Sequence, residues 1–271
     1  MPELPEVETI ARDLRPGLTG ARIAGVRVHR PHILRQTTPA AFARALRGRR
    51  IALVTRRAKH LVLVLDDDVR VIFQLRMTGS LYVTDARRRD PYSVLELDLG
   101  DRGHLVFRDV RRLGIVLRLT PARWVAYTAR LGPEPLERAF TTATLARALS
   151  GRLAVKKAIM DQRRLAGVGN IYASEALWLA GIDPSRSAAG LGEDEIAALH
   201  RSIVGVLRRA VRGRGTTIRD YRTGTGQPGT FQGRLAVYGR RGEPCLRCGH
   251  HLALTHAIDQ RATYFCPWCQ S

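Results

Sequence analysis

The chain lacks several things, and each shortage excludes a class of protein. No apolar run among its 271 residues approaches the ~18 that a membrane-crossing helix needs. The first residues are acidic, the wrong charge for a secretory signal. No cysteine precedes position 245, so a disulfide scaffold is not expected and a reduced, cytoplasmic protein is. Aromatic residues are only 6% of the chain, which leaves Val, Leu and Ile to build the core. Acidic residues are scarce too, 24 against 45 basic ones, for a net charge of +21. Such an excess favours a polyanionic partner, and nucleic acid is the commonest. Lysine is nearly absent: Lys59, Lys156 and Lys157 are the only three of the 45 basic residues. Arginine cannot replace a cation that must be compact or must lose its proton.

What is present suffices for two domains, with 45% apolar residues. Val7, Ile10, Ala11, Leu14 and Leu18 recur at helical spacing, Pro5 suits a first turn, and Pro16-Gly17 is read as the stop. Short β-rich runs follow, among them 51–55, 61–65, 69–75 and 115–119, with a short helix over 40–47. Many short strands separated by turns predict a sandwich or barrel. After Pro121 the pattern changes. A breaker-rich linker, 126–136, separates an N-terminal domain, 1–125, from a helical one, 137–234. Within the latter, 215–233 is a long glycine-bearing loop without periodicity, expected to be functional or disordered, and to close as a cap because its glycines lower the cost of adopting two conformations. The last segment, 235–271, reads as a cysteine-bearing β-hairpin.

Three motifs carry chemistry. Cys245-x2-Cys248 and Cys266-x2-Cys269 flank 17 residues, the spacing of a four-cysteine site for one structural Zn2+ with no open coordination position. Gly167-Val168-Gly169-Asn170 precedes an apolar helix, where Asn170 can cap and free N–H groups can meet phosphate. At the start, removal of Met1 would leave Pro2 as a secondary amine with a pKa of roughly 8. Such an amine can attack a sugar carbon and form an iminium, with Glu3 beside it to move protons.

Met-Pro-Glu-Leu-Pro-Glu-Val-Glu-Thr resembles the start of bacterial formamidopyrimidine-DNA glycosylases, and the likeness spans nearly the whole chain. The sister family for oxidised pyrimidines, endonuclease VIII, usually has Pro-Glu-Gly-Pro-Glu there, so Leu4 points to the purine branch. The resemblance implies an α+β protein of two domains: a β-sandwich with an N-terminal helix, then a helix-two-turn-helix domain bearing a zinc hairpin. It implies a bifunctional DNA glycosylase and AP lyase, a monomer acting on double-stranded DNA that contains oxidised bases, with no membrane partner.

Residue by residue, the resemblance makes Pro2 the nucleophile and Glu3 its proton-transfer partner. It places Lys59 near the lesion and Arg261 in the later elimination step. Met77, Arg111 and Leu113 would fill the hole left by an everted nucleotide, with Arg111 pairing to the orphaned cytosine. Arg152 and Lys156 would hold phosphate, and Asn170 would contact the DNA backbone. The chain departs from the family at Leu113, where phenylalanine is usual, at Asp90-Pro91-Tyr92, and in a finger one residue longer. Two other readings stay open: an endonuclease VIII-like glycosylase for pyrimidines, and a non-catalytic zinc-containing DNA-binding protein.

Overall fold

The structure is a computed structural model and describes residues 2–85, 90–218 and 220–271. The chain divides into two compact units, Met1–Ala129 with Gly213–Thr230, and Arg130–Arg212 with Phe231–Ser271.

The first unit opens with helix α1 (Leu4–Leu18), whose Val7, Ile10, Ala11, Leu14 and Leu18 are buried on one face. The helix passes through Pro16 instead of stopping there. Its last turn still closes, because Thr19 N–H reaches the Arg15 carbonyl at 3.0 Å. Then follow β1 (Gly25–Val28), β2 (Leu34–Arg35), helix α2 (Pro39–Leu46), β3 (Ile51–Arg57), β4 (His60–Leu65), β5 (Arg70–Gln74), β6 (Gly79–Thr84), β7 (Ser93–Asp98), β8 (His104–Asp109), β9 (Ile115–Leu119) and helix α3 (Pro121–Thr128). Two sheets form, ordered β1-β7-β8-β6 and β2-β9-β5-β4-β3. Apolar residues of α1 and of both sheets share one core, which makes the unit a sandwich closed by its first helix.

Strand β4 shows why the pattern reads as it does. Leu61, Leu63 and Leu65 face the main core. Val62 and Val64 face the other way, into a second cluster with Ile72, Leu117, Leu119, Trp124 and Tyr127. Helix α3, which the sequence reading left unassigned across its boundary at 125, supplies Trp124 and Tyr127 and covers that outer face. A strand covered on both faces is apolar throughout.

In the second unit, helices α4 (Thr142–Ala148), α5 (Val155–Met160), α6 (Asn170–Ala180) and α7 (Glu193–Arg212) precede the hairpin β10 (Ala253–Thr255) and β11 (Thr263–Phe265). Ile171 to Trp178 of α6 are all buried, so this helix is the centre of its unit and shows no polar face. Glu175, also buried, accepts the backbone N–H groups of Ala236, Val237 and Tyr238 at 2.8–2.9 Å. Burial pushes its carboxyl above the usual range, against the pull of those three donors.

One grouping differs from the sequence reading. Residues 213–230 pack with the N-terminal unit, not with the helices that precede them in the chain. The cause lies in α1, whose Glu6 and Asp13 bind Thr216 and Arg214 of that segment.

Candidate active site and nucleic-acid interface

In the first unit, Pro2 and Glu3 are buried at the head of α1, and Met1 lies outside the described residues. Glu3 N–H donates to Glu6 Oε2 at 2.8 Å, the returning half of a capping box. Glu6 is itself buried, and its other oxygen accepts Thr216 N–H at 2.8 Å. Tyr221 Oη donates to the Glu6 carbonyl at 3.3 Å, and Arg214 pairs with Asp13 at 2.9 Å. The glycine-bearing segment is thus laid along α1, and Glu6 joins it to the residues that carry the candidate amine. Gly215 has φ +80 and would place a Cβ 2.9 Å from Glu6 Oε1, so both conformation and space demand glycine there. Sequence reasoning gave Glu6 no part in the site. The Glu3-x-x-Glu6 spacing of a capping box was the available signal.

Lys59 sits in the two-residue turn between β3 and β4, where Ala58 takes φ +53. Arg56, just before that turn, donates to the Ala58 carbonyl at 2.8 Å and to Glu8 of α1 at 3.3 Å. The lysine turn and the amine-bearing helix are therefore braced to each other within one unit.

Met77 and Leu113 stand 47% and 45% exposed, which for large apolar side chains marks contact surface more than core. They occupy two loops, β5–β6 and β8–β9, that Asp109 ties together. Asp109 is fully buried. One oxygen accepts Thr78 Oγ1 at 2.5 Å and Arg111 N–H at 3.3 Å, and the other accepts Gly114 N–H at 2.7 Å. Arg111 also reaches Met77 Sδ at 3.0 Å. Arg76 and Arg112 both adopt φ +54, so each loop turns sharply to present its neighbour. Gly114 would drive a Cβ to 2.4 Å from the Phe107 ring. The departure at Asp90-Pro91-Tyr92 forms a braced turn: Arg108 pairs with Asp90 at 2.7 Å and lies over the Tyr92 ring.

The second unit holds the other expected residues. Arg152 and Arg261 are exposed. Asn170 does not cap α6: Gly169 is the cap, and Asn170 is the first helical residue. Its Nδ2 instead donates to the Ala262 carbonyl of the finger at 2.9 Å, while its Oδ1 finds no partner among the described residues. Lys156, expected to hold phosphate, is fully buried. Its Nζ donates to Thr263 Oγ1 at 2.7 Å and lies 3.3 Å from Asp259 Oδ1. An ammonium so enclosed is used inside the protein, a departure from the phosphate-holding role that the resemblance implied. Gln162, which sequence reasoning missed, shapes the turn before α6 by accepting Gly167 N–H and donating to the Met160 and Val168 carbonyls.

The four cysteine sulfurs lie within 4.8 Å of one another, with Cys245 to Cys269 at 3.9 Å and Cys248 to Cys266 at 3.6 Å. Tetrahedral zinc with Zn–S bonds of about 2.3 Å sets its sulfurs about 3.8 Å apart, so the residues fit the metal. Trp178 Nε1 and Arg247 N–H both approach Cys245 Sγ at 3.4 Å, and such donors suit a thiolate. The site holds one structural zinc. No described helix is long and apolar enough to cross a membrane.

Comparison with known proteins agrees along the whole chain. Residues 1–116 match the formamidopyrimidine-DNA glycosylase N-terminal domain, 131–222 the formamidopyrimidine-DNA glycosylase H2TH domain, and 242–271 the zinc finger found in FPG and IleRS. A Chloroflexus aggregans protein named formamidopyrimidine-DNA glycosylase is 45% identical, over 100% of this chain and 98% of its own. The crystal structure of MutM (FPG) from Thermus thermophilus superposes with a TM-score of 0.88 at 40% identity, covering 99% of this chain and 98% of that one. A Lactococcus lactis FPG variant in complex with Fapy-dG-containing DNA superposes with a TM-score of 0.92 at 34% identity, covering both chains fully.

Proposed function

Because the chain belongs to the formamidopyrimidine-DNA glycosylase family, we propose that it excises oxidised purines, 8-oxoguanine and formamidopyrimidines, from duplex DNA through Pro2. It is a DNA-binding glycosylase and AP lyase of base excision repair. With Met1 removed, the Pro2 nitrogen attacks C1′ of the everted nucleotide, the C1′–N bond breaks, and the base leaves with a proton. The C1′–O4′ bond then opens, O4′ takes a proton through Glu3, and the iminium left at C1′ acidifies C2′–H. Loss of that proton expels the 3′ phosphate in β-elimination, and a second elimination releases the 5′ phosphate. Glu3 moves the proton at the sugar, Lys59 stands near the lesion, and Arg261 serves the later elimination. Met77, Arg111 and Leu113 fill the vacated stack, while Arg152 and Asn170 meet the backbone. Four thiolates leave zinc no open position, so its part is to fold the finger. We further propose that one chain acts alone, in the cytoplasm, on nucleoid DNA.

The observation that carries this reading is the fixed head of α1, where Pro2 and Glu3 are buried and held by Glu6. The test is borohydride trapping on duplexes carrying 8-oxoguanine, a ring-opened purine or thymine glycol. Trapping on the purine lesions, with the adduct mapped to Pro2 of a chain lacking Met1, is the expected result. An adduct on a lysine, with Pro2 unmodified, would remove the assignment. Preferential trapping on thymine glycol would move the chain to the pyrimidine branch.

Lys59 offers a separate check. Its ammonium sits in a tight turn of a chain that otherwise uses arginine. A planar, permanently charged guanidinium replaces neither its size nor its capacity to titrate. Lys59→Arg is expected to keep duplex affinity within a few-fold and to slow excision or elimination at least ~10-fold, about 1.4 kcal/mol of barrier. Single-turnover kinetics beside binding at matched salt separate the two. Wild-type rates would reduce Lys59 to a general phosphate contact.

A further inference from the structure

Resting on the assignment of Arg261 to elimination, we propose that Asp259 is a positioning residue for Arg261, and that Lys156 is the buried cation that locks Asp259. Asp259 Oδ1 accepts the Arg261 backbone N–H at 3.2 Å. The same oxygen lies 3.3 Å from Lys156 Nζ, which α5 delivers from 103 residues away. Lys156 also donates to Thr263 Oγ1 at 2.7 Å, and that hydroxyl reaches the Arg261 carbonyl at 3.4 Å. Asn170 of α6 holds the next carbonyl, that of Ala262, at 2.9 Å. The peptide groups on both sides of Arg261 are thus fixed from α5 and α6, while the Arg261 side chain remains exposed. Gln260 adopts φ +61, a left-handed conformation uncommon for a residue other than glycine, immediately before the arginine.

The chemistry of burial explains why the two charges come together. Lys156 has no exposed surface, and an ammonium in that setting is retained only when paired and hydrogen-bonded. Asp259 provides the charge, and its position two residues before Arg261 converts the pairing into control over a guanidinium. Base excision depends on Pro2, Glu3 and Glu6 of the other unit, so a fault at Asp259 should affect the later elimination selectively.

The test uses the full-length, zinc-loaded chain on an abasic duplex and an 8-oxoguanine duplex. The yields of the β-elimination product and the β,δ-elimination product are read beside single-turnover base excision and zinc content. Asp259→Ala is expected to lower the δ-to-β ratio at least fivefold, with excision within twofold of wild type and zinc retained. Asp259→Asn keeps an acceptor for the Arg261 N–H and should recover at least half of the lost ratio. Arg261→Ala is the reference. If it lowers the ratio and Asp259→Ala does not, the positioning role is overturned. If Arg261→Ala leaves the ratio unchanged, the assignment beneath the proposal has failed instead. Excision falling in step with the ratio in Asp259→Ala also overturns the role, since that marks general damage. Should Asp259→Ala shed zinc, Lys156→Met/Asp259→Leu replaces both charges with apolar groups and is read in the same way, a wild-type ratio overturning the proposal.

Discussion

A Cys248→Ala chain is expected to lose its zinc and at least a hundredfold in duplex affinity, about 2.7 kcal/mol, while residues 2–129 stay folded. Within itself the finger has little else to hold it. Its two strands pair over three residues each, too few to stand alone in water. Its apolar cluster is small: Trp178, Ala236, Val237 and Leu252 gather around Cys245 and Cys266. Zinc binding is therefore most of the finger's folding free energy. Loss of the hairpin also strips the buried Lys156 ammonium of Asp259 and Thr263, and frees Asn170 from Ala262. The damage should spread into α5 and α6 and stop at the unit boundary, since the sandwich has its own core. Metal analysis, salt-matched binding and hydrogen exchange check the three parts. Wild-type protein without zinc, or a variant that binds duplex normally, would falsify the account.

How much of this was legible beforehand follows from the range over which each interaction acts. The apolar run of β4, the helical spacing of α1 and the cysteine pairs are local patterns, and each appears in the structure as the sequence implied. Helix α3 has its own local signals, Thr120 accepting Arg123 N–H and Pro121 at the first turn, but it is short and stands beside a linker rich in breakers. Asn170 shows local reasoning overruled. An asparagine before a helix can cap it, yet here the finger offered a carbonyl and Gly169 took the cap position. Lys156 with Asp259, and Glu6 with Thr216, lie 103 and 210 residues apart in the chain. Neither pair leaves a trace in spacing or periodicity. The family resemblance named the motif residues, and the carboxylates that hold them, Glu6, Asp109 and Asp259, came only from geometry.

Glu6→Gln is expected to slow base excision at least ~30-fold and to loosen residues 213–230. Both Glu6 oxygens accept backbone N–H groups in a buried setting, one from Glu3 and one from Thr216, each at 2.8 Å. A glutamine has one carbonyl oxygen and an NH2 group. Whichever way its amide turns, one N–H meets another donor and loses its bond, a cost of about 1–3 kcal/mol. If the Glu3 N–H loses its partner, the head of α1 shifts and Pro2 with it. If the Thr216 N–H loses its partner, the segment loosens from α1, and more of its retention falls to Tyr221 and Arg214. Either outcome disturbs a site whose chemistry depends on placing one amine, and a barrier raised by ~2 kcal/mol corresponds to the ~30-fold loss. The same deficit lowers the melting temperature by roughly 2–10 °C. Limited proteolysis should show new cleavage within 213–230, and lesion duplex should suppress it less than in wild type. Duplex affinity should change little, because Glu6 is buried and faces the protein. An excision rate within twofold of wild type would mean that the amine is placed without Glu6, and that the bond between α1 and the glycine-bearing segment has no part in catalysis.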